Sequence, residues 1–291
     1  AELDFLRSLD EAWSKLAVTQ RRKSVIQDRL AVLKKENGMI EKLIGAGEVE
    51  FSSRQVASQR MNDAIREFQN VTEAELEQQM ELVKLMGMHP SSAPRLRFLT
   101  GQGFSLPAAV AAPSPAALME SPKVKAQMAT YATTETLLKT EIRRQYPELE
   151  LGPSFTRDDG EKEVGGEIGF NIPLWNRNRK AIAEARGVRN TARLETVQLW
   201  KTELFNARQL EATQQMVIRH CRTELQRMES FSSSVQTMEK LHGIGEASLL
   251  ELAENRHQLY ESRLAFLDSL DKLLGIQAQL RYITHANLQS K

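Results

Sequence analysis

The sequence predicts a mainly α fold of long antiparallel coiled-coil hairpins in two repeats, with one β-hairpin. Three observations predict it. An eight-residue stretch recurs at a fixed offset. An apolar seam stepping by four and three residues leads into each copy. One stretch between the copies alternates apolar and polar residues with period two.

Composition supports long helices. The 291 residues are 26% charged and only 6% aromatic, with abundant Leu, Ala, Glu, Gln, Lys and Arg. Mean hydropathy is −0.43, and no run reaches the roughly 18–20 apolar residues of a membrane-spanning helix. A net charge of +1 gives no field toward nucleic acid, so none is expected as a partner. Cys221 is a lone cysteine. The His220-Cys221 pair reads better as a helix position than as a metal site, because no second cluster accompanies it. His89, His220, His242, His257 and His285 are scattered, and there is no zinc spacing, P-loop or nucleophile elbow. No enzyme, cofactor or metal site is expected.

Residues 1–98 form the first repeat. Residues 1–8 already read as helix rather than as a signal peptide. Ile26, Leu30, Leu33, Asn37, Ile40 and Ile44 make a coiled-coil seam. Asn37 either sets the register or is tolerated near the tip. The tip reads EKLIGAGE at 41–48. A returning helix starts at a candidate capping box, Ser52-x-x-Gln55, and runs to about Met86, before Gly87 and Pro90. At 1.5 Å per residue, arms of roughly 35–45 residues span about 50–65 Å. The basic cluster Arg21-Arg22-Lys23 could touch phosphate, but a solvated helix face is the better reading.

Residues 99–121 are rich in Pro, Ala, Gly and Ser and read as a linker. A helix follows at 122–147. In the 148–175 segment, Leu149, Leu151, Pro153 and Phe155 alternate with polar residues. So do Val164, Ile168, Phe170, Ile172 and Leu174, across a charged turn at 157–163 containing Asp159-Gly160. Strands of about 9–11 residues suit a tilted membrane crossing, and Tyr146 and Trp175 lie at the open end where a barrel carries aromatics. A soluble hairpin lying on helices also alternates. In a barrel, Glu148, Glu150, Glu167 and Asn171 would face the lumen, whose acids favour cations.

Residues 176–291 form the second repeat. Its tip, EKLHGIGE at 239–246, matches the first at six of eight positions, offset by 198 residues. Met228, Phe231, Val235, Met238 and His242 continue the seam at that offset. Ser248-x-x-Glu251 opens the returning helix, whose stripe is Tyr260, Leu264, Leu267, Leu270 and Leu274.

Three stretches resemble the outer-membrane efflux protein family typified by TolC, in particular the outer-membrane components of heavy-metal (cobalt-zinc-cadmium or copper) exporters. They are SPKVKAQMATYATTETLLKTEIRRQYPELELGPSF at 121–155, GGEIGFNIPLWNRNRKAIAEAR at 165–186, and the two tips. The resemblance implies a homotrimer in a Gram-negative outer membrane. Its strands form one shared barrel in lipid, and its helices form a periplasmic tunnel. Substrate passes without chemistry. The tips, at Gly45, Gly47, Glu48, Gly243, Gly245 and Glu246, would meet a periplasmic adaptor (membrane fusion) protein that links to an inner-membrane pump. Glu251 and Glu254 match the family's aperture carboxylates, often Asp there. His242 and Ser53 match a pair that links neighbouring hairpins.

The family has a β-hairpin in each repeat. By the same offset, a second hairpin would fall about 50 to 25 residues before Ala1, so the chain is expected to start partway through its first copy. The competing reading is a soluble coiled-coil scaffold without channel activity.

Overall fold

The computed structural model describes residues 2–48, 50–89, 104–146, 148–158, 161–171 and 178–283. Two compact units form. One holds Ala1–Pro113 with Ala207–Lys291, and the other holds Ser114–Asn206.

In the first unit, α1 (Glu2–Gly45) turns back into α2 (Phe51–Leu85), and the C-terminal part of α5 (Arg179–Gly243) turns into α6 (Leu249–Arg281). Helix α1 packs along both α2 and α6. Ile26, Val71, Ile218, Cys221, Phe266 and Leu273 come from all these helices and share one core. Burying each large apolar side chain stabilises by about 1.5–3 kcal/mol, so this core dominates the unit. The seams lie where the heptads put them. Ile26, Leu33, Ile40, Met228 and Val235 are buried, and Leu30, Phe231 and Met238 pack against the core. At tip level a smaller cluster of Ile40, Ala57 and Leu249 joins the hairpins, with Leu43 and Ile44 against it.

Residues 104–113 form neither helix nor strand, yet they are tied down. Phe104 meets the Phe266 ring edge-on at 5.6 Å between centroids. The Arg21 guanidinium covers Phe104 at 4.9 Å. Fully buried Gln214 and Gln277 bond the backbone of Val110 and Ala108.

The second unit contains α3 (Pro115–Met119), α4 (Pro122–Arg143), β1 (Glu148–Asp158), β2 (Glu161–Asn171) and the start of α5. Ser114 and Ser121 cap α3 and α4, each followed by a proline whose missing N–H costs nothing at a helix start. Arg189 on α5 reaches the Tyr131 hydroxyl (3.0 Å) and Glu135 (3.4 Å) on α4. Asn178 adopts φ 52°, a conformation Asn tolerates. Its amide donates to the Glu141 carbonyl at 2.9 Å and carboxylate at 2.7 Å.

The strands pair antiparallel, from Glu148 opposite Asn171 to Asp158 opposite Glu161. The charged turn is therefore shorter than the sequence suggested. Arg157, Asp158 and Glu161–Glu163 continue the ladder, leaving 159–160 between the strands, outside the described residues. Ile172, Leu174 and Trp175 also lie outside them. No helix among the described residues is long and apolar enough to cross a membrane.

Two local readings are corrected. The first capping box does not form. Glu50 is the N-cap of α2 and makes no side-chain cap bond. The Ser52 hydroxyl donates instead to the Glu50 carboxylate at 3.1 Å. The cluster 21–23 is not a solvated face. Arg21 stacks on Phe104, Arg22 pairs with Asp268, and Lys23 pairs with Glu75 at 2.6 Å.

Candidate functional site

The two tips are built alike. In the first, the Gly47 N–H donates to the Ile44 carbonyl (3.0 Å) and the Glu48 N–H to that of Leu43 (3.0 Å). In the second, the Gly245 N–H donates to the His242 carbonyl (3.1 Å) and the Glu246 N–H to that of Leu241 (2.8 Å). Both glycines are left-handed, at φ 75° and 79°. This is a Schellman cap, which satisfies carbonyls at a helix end and turns the chain away. Gly45 and Gly243 sit two residues earlier, as the last helical residues of α1 and α5. The tips expose apolar side chains, with Phe51 at 67% and Ile244 at 69% of full accessibility.

The matched family residues divide. Ser53 and Glu254 line one cavity of about 270 Å³ between α1, α2 and α6. Asn37 lines it too, and its Oδ1 has no hydrogen-bond partner. His242 is not part of that cavity. Its Nδ1 donates to the Ala247 carbonyl at 3.0 Å, which braces its own tip. Within the chain, His242 and Ser53 are therefore not paired.

Glu251 closes a capping box that the sequence did signal. Its carboxylate accepts from the Ser248 N–H at 2.9 Å and hydroxyl at 3.0 Å, while Ser248 caps the Glu251 N–H. These bonds hold the carboxyl below its ordinary value. Glu254 accepts from Gln258 at 2.9 Å and pairs with Arg60 of α2 at 2.5 Å. Both partners, the Gln258 bond foremost, hold its carboxyl low and ionised.

Below the tips lies an ionic cluster that sequence reasoning missed. Buried Arg29 of α1 stacks on Tyr260 at 3.9 Å and pairs with Glu67 of α2 (3.3 Å) and Glu261 of α6 (3.6 Å). It also donates to His257 Nδ1 at 3.2 Å. Guanidinium only donates, so Nδ1 is the bare, accepting nitrogen. Arg256 of α6 bridges buried Glu36 of α1 (2.9 Å) and Glu239 of α5 (2.8 Å). Residues 254–261 of α6 are thereby fastened to every other helix of the unit. Cys221, by contrast, is buried core, and burial raises its thiol pKa.

On the hairpin, the register places Glu148, Glu150, Glu167 and Asn171 on one face. The side chains of Glu148, Glu150 and Asn171 lie outside the described part; Glu167 is exposed. The opposite face pairs Leu151 with Ile168 and Phe155 with Val164. All four are 62–76% exposed.

No protein-family model matches the chain, and no curated protein does. Solved structures match closely in fold. A membrane protein from Pseudomonas aeruginosa superposes with a TM-score of 0.78 at 16% identity, over 97% of this chain and 66% of its own. The outer membrane protein VceC from Vibrio cholerae gives 0.77 at 15%, over 96% and 69%. The Campylobacter jejuni CmeC outer membrane channel gives 0.75 at 13%, over 97% and 62%. The chain thus spans about two thirds of their length. Over nearly all its own length it has the fold of these membrane proteins, two of them from the outer membrane.

Proposed function

We propose that this chain is the channel-forming part of an outer-membrane component of a tripartite efflux system. Three copies enclose a tunnel through which substrate passes without chemistry. The observation that carries this reading is the fold shared with outer-membrane channels, combined with a β-hairpin whose apolar face exposes Leu151, Phe155, Val164 and Ile168. Lipid is the natural cover for such a face when the polar face lines a lumen. A soluble scaffold leaves it unexplained.

The twin tips, with exposed Phe51 and Ile244, dock a periplasmic adaptor that connects to an inner-membrane pump. Glu251 and Glu254 line the periplasmic mouth, with carboxyls already held ionised. Glu148, Glu150, Glu167 and Asn171 line the barrel. Heavy-metal cations are the proposed cargo, from the sequence resemblance and the acidic lumen face.

The test is in-cell cross-linking from a photoreactive residue at Glu246 in a Gram-negative host, followed by envelope fractionation. The expected result is a trimer in the outer-membrane fraction, cross-linked to an adaptor. A monomer in the soluble fraction, with no adaptor product, overturns the reading.

A further inference from the structure

A second cavity, of about 180 Å³, lies between α1 and α6 in the first unit. Val25, Leu33 and Leu259 give it an apolar wall, and Val32 sits at its exposed rim. Arg29, Arg60, Arg256 and Arg263 also line it, against only two acids, Asp28 and Glu36.

Most of this charge is already matched. Arg29 is held by Glu67 and Glu261, Arg60 by Glu254, and Arg256 by Glu36 and Glu239. Arg263 is the exception. Its Nε is buried and has no acceptor. Among the described residues no carboxylate forms an ion pair with it. Asp28 attracts it at longer range, while Arg21 repels it. Arg263 thus lacks the direct carboxylate partner that Arg29, Arg60 and Arg256 each have.

We propose that this cavity binds a small amphipathic anion, a carboxylate on a short aliphatic body. The carboxylate fits the planar donor fork of Arg263, and the body occupies the Val25–Leu33–Leu259 wall. A cation finds the Arg263 guanidinium, which has no ion-pair partner among the described residues. A neutral apolar molecule leaves the Arg263 charge without a counter-ion. The site adjoins the Ser53–Glu254 cavity, sharing Leu33, Glu36 and Arg60 with it, and it stands whether or not the channel reading holds.

Calorimetric titration with octanoate tests it, on the 291-residue chain in nonionic detergent. Octanamide, of the same length but neutral, is the matched probe. The same titrations on Arg263→Met in the same micelles cancel partition into detergent. Octanoate binds saturably, roughly tenfold or more tighter than octanamide, as a hydrogen bond to a charged group implies. Arg263→Met removes that preference. Val32→Trp, which fills the cavity from its rim without touching the core, weakens both probes and serves if Arg263→Met does not fold. Absence of saturable octanoate binding, equal affinity for octanamide, or binding unchanged by Arg263→Met or by Val32→Trp overturns the proposal.

Discussion

Gln214 and Val110 exchange a reciprocal pair of hydrogen bonds. The Gln214 Nε2 donates to the Val110 carbonyl at 2.8 Å, and the Val110 N–H donates to Gln214 Oε1 at 2.9 Å. A side-chain amide thus does for residue 110 what a neighbouring strand does in a sheet. The segment 104–113 has no ladder partner, so it depends on this device and on Gln277, which donates to Ala108 at 2.9 Å. Replacing Gln214, which is fully buried, by Leu keeps the volume but orphans a backbone donor and acceptor. Each orphan costs about 1–3 kcal/mol. Gln214→Leu should lower stability in urea by about 2–4 kcal/mol and speed exchange of the Val110 amide. Unchanged exchange there would show that Phe104 and Gln277 hold the segment without Gln214.

The matched tips make a sharper comparison. Gly47 and Gly245 occupy left-handed backbone, where a Cβ is strained although the surrounding space is open. Gly45 and Gly243 are helical and equally open. Gly47→Ala and Gly245→Ala should each destabilise by about 1–2 kcal/mol. Gly45→Ala and Gly243→Ala should be neutral or stabilise by up to about 1 kcal/mol. Thermal melts of the four variants check this, and the prediction fails if the pairs do not separate.

Most of this architecture was legible because it is local or periodic. The tips, the seam through Ile26 and Met228, the Ser248–Glu251 box and the Leu151–Ile168 alternation each repeat a pattern that one helix or one strand imposes. Ser52 shows the limit of such signals. Its spacing to Gln55 suits a cap, but a nearer acceptor on Glu50 takes its hydroxyl. Gln214, Gln277 and Arg29 were illegible for a different reason. Their partners lie 38 to more than 200 residues away, and a lone Gln or Arg on a helix carries no trace of them. The hairpin turn was drawn too long because charged residues normally mark loops. Here Arg157 and Lys162 pair across the ladder.

Glu36 and Arg256 test how strongly the hairpins are fastened. Glu36 is only 4% exposed, and Arg256 is its partner across the α1–α6 interface. Truncating one member of a buried pair strands the other, whereas removing both leaves no orphan. Arg256 keeps Glu239 and some solvent, so the full penalty of a buried pair is reduced. Glu36→Ala should cost about 1–3 kcal/mol, and the Glu36→Ala/Arg256→Ala double variant less than the sum of the singles. Additive losses in urea denaturation would mean that the pair is not coupled.

His257 gives the hairpin contact a pH dependence whose sign follows from its surroundings. Burial, then Arg29 and Arg60, hold its imidazole below the ordinary value. Glu261 and Glu254 oppose them only in part. The folded state keeps His257 neutral, and its Nδ1 accepts from Arg29. The unfolded chain takes up this proton near pH 6.5. The unfolded state therefore binds more protons below that point, and stability falls as pH drops beneath about 6.5, until the folded imidazole also titrates. Glu254 acts lower. Its depressed carboxyl contributes above the unfolded value near pH 4.3 and is lost as pH falls through the folded one. Urea midpoints should hold steady from pH 8 to 7 and decline from 6.5 toward 5.5. His257→Gln, which cannot titrate, should flatten that first decline and leave the drop below pH 4.5 in place. A wild-type profile flat to pH 5 would show that the folded state does not hold the imidazole neutral.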